Sequence, residues 1–172
     1  LIYYEGKYIS RDISKAIHYL TLAAKQNNPE AQFNLGYIYY SLKEINSGIF
    51  WILESSERGN IDACFFIGFL YQEGKHIDKD IKKSIHNYKE ASSFNNQYAK
   101  NNLGIIYKHG IDNKIEKNTA VAEEYFSESI NKRNDKVSMY NLAHLYIFEE
   151  PTEESIDKSI NLLFNSYNLG FH

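Results

Sequence analysis

Residues 63–98 recur along the chain, and this self-similarity constrains the fold more than any other feature of the sequence. The first part of the unit sets Ala63, Ile67, Gly68, Tyr71 and Gly74 in a fixed order. The same order of small, large apolar, small and Tyr returns at Ala31, Leu35, Gly36 and Tyr39 and at Ala99, Leu103, Gly104, Tyr107 and Gly110. It returns again at Ser138, Leu142, Ala143 and Tyr146. The copies start at 31, 63, 99 and 138, so the periods are 32, 36 and 39 residues. A partial copy opens the chain: Tyr3, Gly6, Ile9, Asp12, Ile17 and Ala23 precede Tyr71, Gly74, Ile77, Asp80, Ile85 and Ala91 by 68 positions without a gap. Repetition at this period marks a solenoid, in which each supersecondary unit buries its apolar face only by stacking on its neighbours.

Within each unit the apolar residues follow helical spacing. Over 14–26, Ala16, Ile17, Leu20, Ala23 and Ala24 form one helical face. The pattern predicts further helices over 30–42, 47–58, 63–72, 80–93, 98–109, 119–131, 137–148 and 154–167. Pro29 suits the first turn of its helix, Gly59 a left-handed helix end and Asp80 an N-cap. The second repeat has a shortened inter-helix loop over 43–46, and Glu149, Glu150 and Pro151 replace the Gly turn of the fifth. No strand alternation competes. Glycine inside a helix costs roughly 0.5–1 kcal/mol relative to alanine, yet Gly36, Gly68 and Gly104 repeat that cost at one position. A close approach between helix backbones explains it. Ala31, Ala63 and Ala99 one turn earlier fit the same contact, as do Ala16, Gly48, Ser84, Ala122 and Ser159 on the second helices. Leu35, Ile67, Leu103 and Leu142, with the tyrosines four positions on, are expected to fill the space between helices.

The order Ala-x-x-x-Leu-Gly-x-x-Tyr-x-x-Gly, followed by Asp-x-x-x-Ala-x-x-Tyr/Trp and then Ala, resembles the Sel-one-like repeat family, a relative of the tetratricopeptide repeats. The unequal periods fit it better than tetratricopeptide repeats, which hold to 34 residues. The sequence departs from the pattern at Leu42 and Glu149 (no Gly), at Ala143 (for the helix Gly) and at Asn87 (for an aromatic). The resemblance implies an all-α, right-handed superhelical solenoid of antiparallel helix pairs, about four and a half repeats long. It divides 1–172 into a partial repeat over 1–30 and repeats over 31–62, 63–98, 99–137 and 138–172, one helical-repeat domain; because Leu1 opens inside a repeat and terminal repeats need a polar cap, a fragment of a longer chain is expected. It also implies a non-catalytic adaptor or scaffold for protein complexes. The alternative is a structural repeat segment inside a larger assembly or attached to an enzyme domain.

Composition narrows the partners. A net charge of −3 with only three arginines gives no broad basic footprint for nucleic acid or an anionic membrane. No run approaches the roughly 18 apolar residues of a membrane helix. Cys64 is the single cysteine, which excludes an intrachain disulfide and suits a reducing compartment. The lack of an Asn-x-Ser/Thr sequon leans against passage through a secretory lumen, and a cytoplasmic location, cytoskeletal assemblies included, is expected. The bias toward Ile, Lys, Asn and Tyr reads as an AT-rich coding genome, so the pairs Asn27-Asn28, Asn95-Asn96 and Asn101-Asn102 carry no functional weight.

In such a superhelix the first helices line the concave surface. With Leu35 and Tyr39 inward, the exposed face of that helix is Phe33, Tyr37 and Tyr40, at i, i+4 and i+7. The equivalents are Phe65, Phe69 and Gln72, then Asn101, Ile105 and Lys108, then Tyr140, His144 and Ile147. Phe33, Tyr37, Tyr40, Phe65 and Phe69 would form an aromatic groove for a protein or peptide; alternatively these rings pack between neighbouring first helices. Catalytic and metal readings are weaker, and no cofactor is expected. His18 and His86 share one repeat position on an outer helix, and His76 and His109 stand beside turns with no second ligand at metal spacing. No His-Glu-x-x-His, Gly-x-Ser-x-Gly or Walker sequence occurs. Cys64 reads as inert packing. RNA binding needs a basic concave face, where Lys108 is the one lysine; Lys79, Lys82, Lys83 and Lys89 fall on an outer helix.

Overall fold

The computed structural model describes residues 13–111, 114–133, 135–149 and 151–170. Tyr3, Gly6, Ile9 and Asp12 of the partial repeat, and Glu150, lie outside them. The described residues contain nine α-helices: α1 (Ile13–Lys25), α2 (Pro29–Ser41), α3 (Ile45–Glu57), α4 (Ile61–Glu73), α5 (Ile81–Ser93), α6 (Gln97–His109), α7 (Thr119–Arg133), α8 (Lys136–Phe148) and α9 (Glu153–Asn168). Every helix expected from periodicity is present, with boundaries that differ by at most two residues. The fold is all-α, and helices α1 to α4 and α6 to α9 pack on their sequence neighbours as antiparallel pairs. The one extended contact among the described residues is an isolated bridge between Ile111 and Ile115 in the α6–α7 loop.

The chain forms two compact units, one ending at Glu90 and one beginning at Ala91. In the first, α2 packs on α1 and α3, and α3 packs on α4. Its core gathers Ile49 and Ile52 of α3 with Ala63, Ile67 and Leu70 of α4, beside a second cluster of Ala24, Ala31 and Leu35. In the second unit α6, α7, α8 and α9 pack in order, around Ala122, Phe126, Leu142 and Leu145. Leu35, Ile67, Leu103 and Leu142 are all buried, as expected. The repeat tyrosines Tyr39, Tyr71, Tyr107 and Tyr146 lie half-buried against these clusters.

The repeated glycines do mark close approach, in two forms. At Gly36 and Gly48 backbone meets backbone: a Cβ on Gly48 would lie 2.7 Å from the Tyr40 nitrogen and 2.9 Å from the Gly36 carbonyl oxygen. At Gly68 and Gly104 the space is taken by a ring. A Cβ there would lie 2.8 Å from Tyr88 Cδ1 or 2.5 Å from Phe126 Cε1. Both rings are fully buried, so each glycine is the floor under an aromatic side chain of the paired helix. Tyr88 also accounts for Asn87: the buried ring comes from the next position, while the Asn87 amide donates to the Lys83 carbonyl.

Two of the asparagine pairs set aside in the sequence, Asn27-Asn28 and Asn95-Asn96, have a structural task at the turns between repeats, whereas Asn101-Asn102 lies within α6. Asn27 and Asn95 adopt left-handed backbone (φ +62° and +65°), the conformation Gly59 supplies in the equivalent turn (φ +78°). Asparagine is among the few residues with a side chain that enters this region readily. The next residue, Asn28, Asn60 or Asn96, then caps the following helix by accepting from the amide of Ala31, Ala63 or Ala99. Asp135 does the same for α8. Each cap satisfies an amide that the helix start leaves without an intrahelical partner. Asp80 fills the role at α5, its Oδ1 accepting from the amides of Lys82 and Lys83 at 3.0 and 3.1 Å. Asp80→Ala is expected to cost about 1 kcal/mol in urea denaturation, with the helical signal of the folded protein unchanged.

A further repeated tie escaped the sequence pattern. Ser55, Ser129 and Ser166, seven positions after Gly48, Ala122 and Ser159, donate from their hydroxyls to the carbonyls of Pro29, Gln97 and Lys136. Each acceptor is the first residue of a first helix. A small residue at this position therefore also pins the end of one helix to the start of its partner; Ala91 holds the place in α5 by packing alone.

Candidate functional site

In the first unit, the residues expected to form an aromatic face divide into two groups. Tyr40 is half-buried, packed edge-on against Phe66 of α4 at 5.2 Å and against His76 at 5.7 Å. Phe33 is half-buried and packs against the α3–α4 core. Phe65 is half-buried, its ring 5.8 Å from that of Tyr88, and Gln72 accepts the Tyr88 hydroxyl at 2.9 Å. Tyr37 and Phe69 are the more exposed, at 40% and 42%. Tyr37 stands against Phe33 and Phe66, each 6.2 Å away between ring centres. Rings of this set thus pack between the neighbouring first helices α2 and α4, and two of them also face outward. Phe66, where the rings of Tyr37 and Tyr40 meet, was missed. It adjoins Ile67 in the repeat pattern, and periodicity alone assigned that edge of the helix to neither face.

In the second unit the expected face is largely an interior. Asn101 and Lys108 were expected to be exposed, but both are buried, Lys108 to 5% exposure. A first helix is flanked not only by its own second helix but also by the next first helix, and α6 meets α8 along this side. The polar groups find partners there. Asn101 Oδ1 accepts from Asn141 Nδ2 at 2.8 Å and from the Ser138 hydroxyl at 3.2 Å. Lys108 Nζ lies 2.8 Å from His144 Nδ1. An ammonium only donates, so a charged Lys108 requires Nδ1 as the acceptor and a neutral ring. Ile105 packs on the Ala122–Phe126 cluster. Ile147 is half-buried, and His144 lies against the ring of Phe148 at 4.4 Å. Tyr140, at 42%, is the most exposed of the six.

Burial pushes the Lys108 ammonium below the usual lysine range, against the opposing influence of Glu149. Burial, followed by the charge of Lys108, likewise lowers His144. Glu149 is held below the usual carboxylate range by its hydrogen bond from Lys117.

Elsewhere in the second unit a groove of about 580 Å³ is lined by Ser92, Ser93, Lys100, Tyr125, Glu128 and Asn131, among others. Lys100 is buried in its wall and pairs with Glu128 at 2.6 Å. The ring of Tyr125 stacks on Tyr107, 5.9 Å between centres. The groove is polar, and its buried charge already has a partner. Cys64 is buried, with its thiol 3.6 Å from the Ser56 carbonyl and raised by burial, which keeps it protonated and unreactive. His18 and His86 are exposed. Among the described residues no group of three or more His, Cys, Asp or Glu could hold a metal ion. No helix among them is long and apolar enough to cross a membrane.

Small residues at each helix contact, capped turns between repeats and consecutive helix pairs define a helical-repeat protein. Sel1 repeat models match residues 1–28, 29–60, 61–93, 97–134 and 136–171. The chain belongs to the Sel1 repeat family, with five repeats. It is similar to a Sel1 repeat protein from Oxalobacter formigenes of known crystal structure, at 26% identity and a TM-score of 0.87, over 99% of this chain and 70% of that one. A protective antigen present in uropathogenic Escherichia coli strains shares the fold at 21% identity and a TM-score of 0.87, over 99% of this chain and 37% of that one. Helicobacter pylori cysteine rich protein B shares it at 23% identity and a TM-score of 0.57, over 77% of this chain and 96% of that one. No curated protein matches the chain.

Proposed function

We propose that this chain is a non-catalytic scaffold that binds a protein or peptide through the faces of its first helices. The observation that carries the reading is the pair Tyr37 and Phe69, large rings that stay about 40% exposed on α2 and α4. Behind them lie Phe33 and Phe66, half-buried and fixed by ring contacts. Rigid aromatic side chains bury much area at low entropic cost, which suits them as anchors for a partner. In the second unit Tyr140 offers a similar exposed ring, while the burial of Lys108 removes the one lysine of the expected face. That burial disfavours nucleic acid, whose phosphates call for accessible cations. The single cysteine, with its buried thiol, fits a cytoplasmic, reducing location; imaging the tagged full-length protein tests that placement.

Peptides selected against the chain from a display library provide the functional test. Tyr37→Ser with Phe69→Ser is expected to weaken their binding at least tenfold, since truncating an anchor ring costs more than about 1 kcal/mol. Undiminished binding by a double variant with native helicity overturns the groove.

A second reading, a structural segment within a larger assembly, draws on α9. Ile156, Ile160 and Phe164 recur every four residues on this helix and are exposed. In α3 the matching stripe, Ile45, Ile49 and Leu53, packs into the core shared with α4. Under this reading Phe164→Glu disrupts an assembly measured by sedimentation, and the Tyr37 and Phe69 changes do not.

A further inference from the structure

We propose that the Lys108–His144 contact is a proton-operated latch between α6 and α8, closed while the imidazole is neutral and released when the ring takes up a proton. The hydrogen bond, 2.8 Å long, exists only while Nδ1 has a lone pair to offer. Protonation removes that acceptor and sets two positive charges at hydrogen-bond distance, with Lys108 buried and poorly able to turn to water. Repulsion between partly buried charges is screened less by salt than repulsion between surface charges.

The surroundings do not cancel the effect. His109 from α6 acts against a positive charge on His144, and Lys117 from the α6–α7 loop against one on Lys108. Among the described residues Glu149 is the one acid acting on the pair, and its Oε2 is already engaged by Lys117. The acids of α7 are directed elsewhere: Glu123 accepts the Tyr146 hydroxyl, Glu128 pairs with Lys100, and Glu124 lines the groove. On α9, Glu154 pairs with Lys158, and Glu153 and Asp157 are exposed.

The sign follows from linkage. A histidine held below its ordinary 6.5 in the closed contact binds a proton more readily once the contact opens. Its support for the closed form is therefore complete above pH 6.5 and is lost as the pH falls through that value toward the folded one. His144 stands between Tyr140 and Ile147 on the face proposed for docking, so release also disturbs that face. This consequence rests on the docking reading, whereas the titration below does not.

The test is an NMR titration of the imidazoles combined with amide exchange between about pH 7.5 and pH 5. The His144 ring is expected to titrate below 6.5, and Lys108→Met should bring its midpoint upward. Protection of α6 and α8 amides, corrected for intrinsic exchange, should fall by up to about tenfold per pH unit below 6.5 until the ring is fully protonated. His144→Gln keeps an acceptor for the ammonium at every pH, so its protection should stay level; this variant carries the test even if Lys108→Met does not fold. Wild-type protection that stays level, or an equal fall in His144→Gln, overturns the latch.

Discussion

Replacing Gly48 by alanine is expected to destabilise the protein by about 2–3 kcal/mol, although alanine is the better helix former by about 1 kcal/mol. The added methyl would meet the Tyr40 nitrogen at 2.7 Å, the Gly36 carbonyl oxygen at 2.9 Å and the Tyr40 Cα at 2.9 Å. All three are backbone atoms and cannot rotate aside, so α2 and α3 must separate along a contact that also holds Ile52 at Gly36. Overpacking of this kind outweighs the gain in propensity. Gly59→Ala is the control. Nothing lies within 4 Å of its added carbon, but its φ of +78° is left-handed, so the loss there is about 1 kcal/mol and owes nothing to packing. Urea denaturation separates the cases, and a Gly48→Ala protein as stable as the parent would refute the close-approach account.

Phe126→Ala should be costlier, about 3–5 kcal/mol, as expected for truncating a fully buried ring. That is a large share of the roughly 5–15 kcal/mol that holds a typical domain folded. The ring lies over Gly104, where an added Cβ would come within 2.5–2.8 Å of three ring atoms, Cδ1, Cε1 and Cζ. Gly104→Ala should therefore be harmful in the parent and much better tolerated once the ring is gone. A double-mutant cycle reads this as coupling. Losses that simply add would mean that ring and glycine are not partners.

The logic of these two predictions was visible in the repeat itself. Three glycines recurring where alanine would be preferred imply contact with something close, and the spacing of Leu35, Ile67, Leu103 and Leu142 shows which helix face is buried. What lies against each glycine was not visible. Gly48 answers Gly36 by backbone, whereas Tyr88 and Phe126 answer Gly68 and Gly104 by rings from the paired helix. The proposed face was legible only in part. Spacing at i, i+4 and i+7 collected its residues on one side of each first helix, but the same spacing describes a surface open to solvent and one covered by the next first helix. Tyr37 and Phe69 remain partly open; Asn101 and Lys108 are covered. His144 appeared in the sequence as a surface residue, and its pairing with Lys108, 36 positions earlier, depends on how α6 and α8 meet.

The sequence by itself determined the helix-pair repeat, the helix boundaries to within two residues and the family, because these depend on periodicity and local turn chemistry within about forty residues. It also held the material of the turns, Asn27-Asn28, Gly59-Asn60 and Asn95-Asn96, whose left-handed and capping roles are local. Tertiary structure decided which sides of the first helices are interior and which side chains meet across them. It turned Lys108 from a surface cation into a buried partner of an imidazole, because burial and hydrogen bonding across helices depend on which neighbour packs against each face, and a single helix's periodicity carries no record of that.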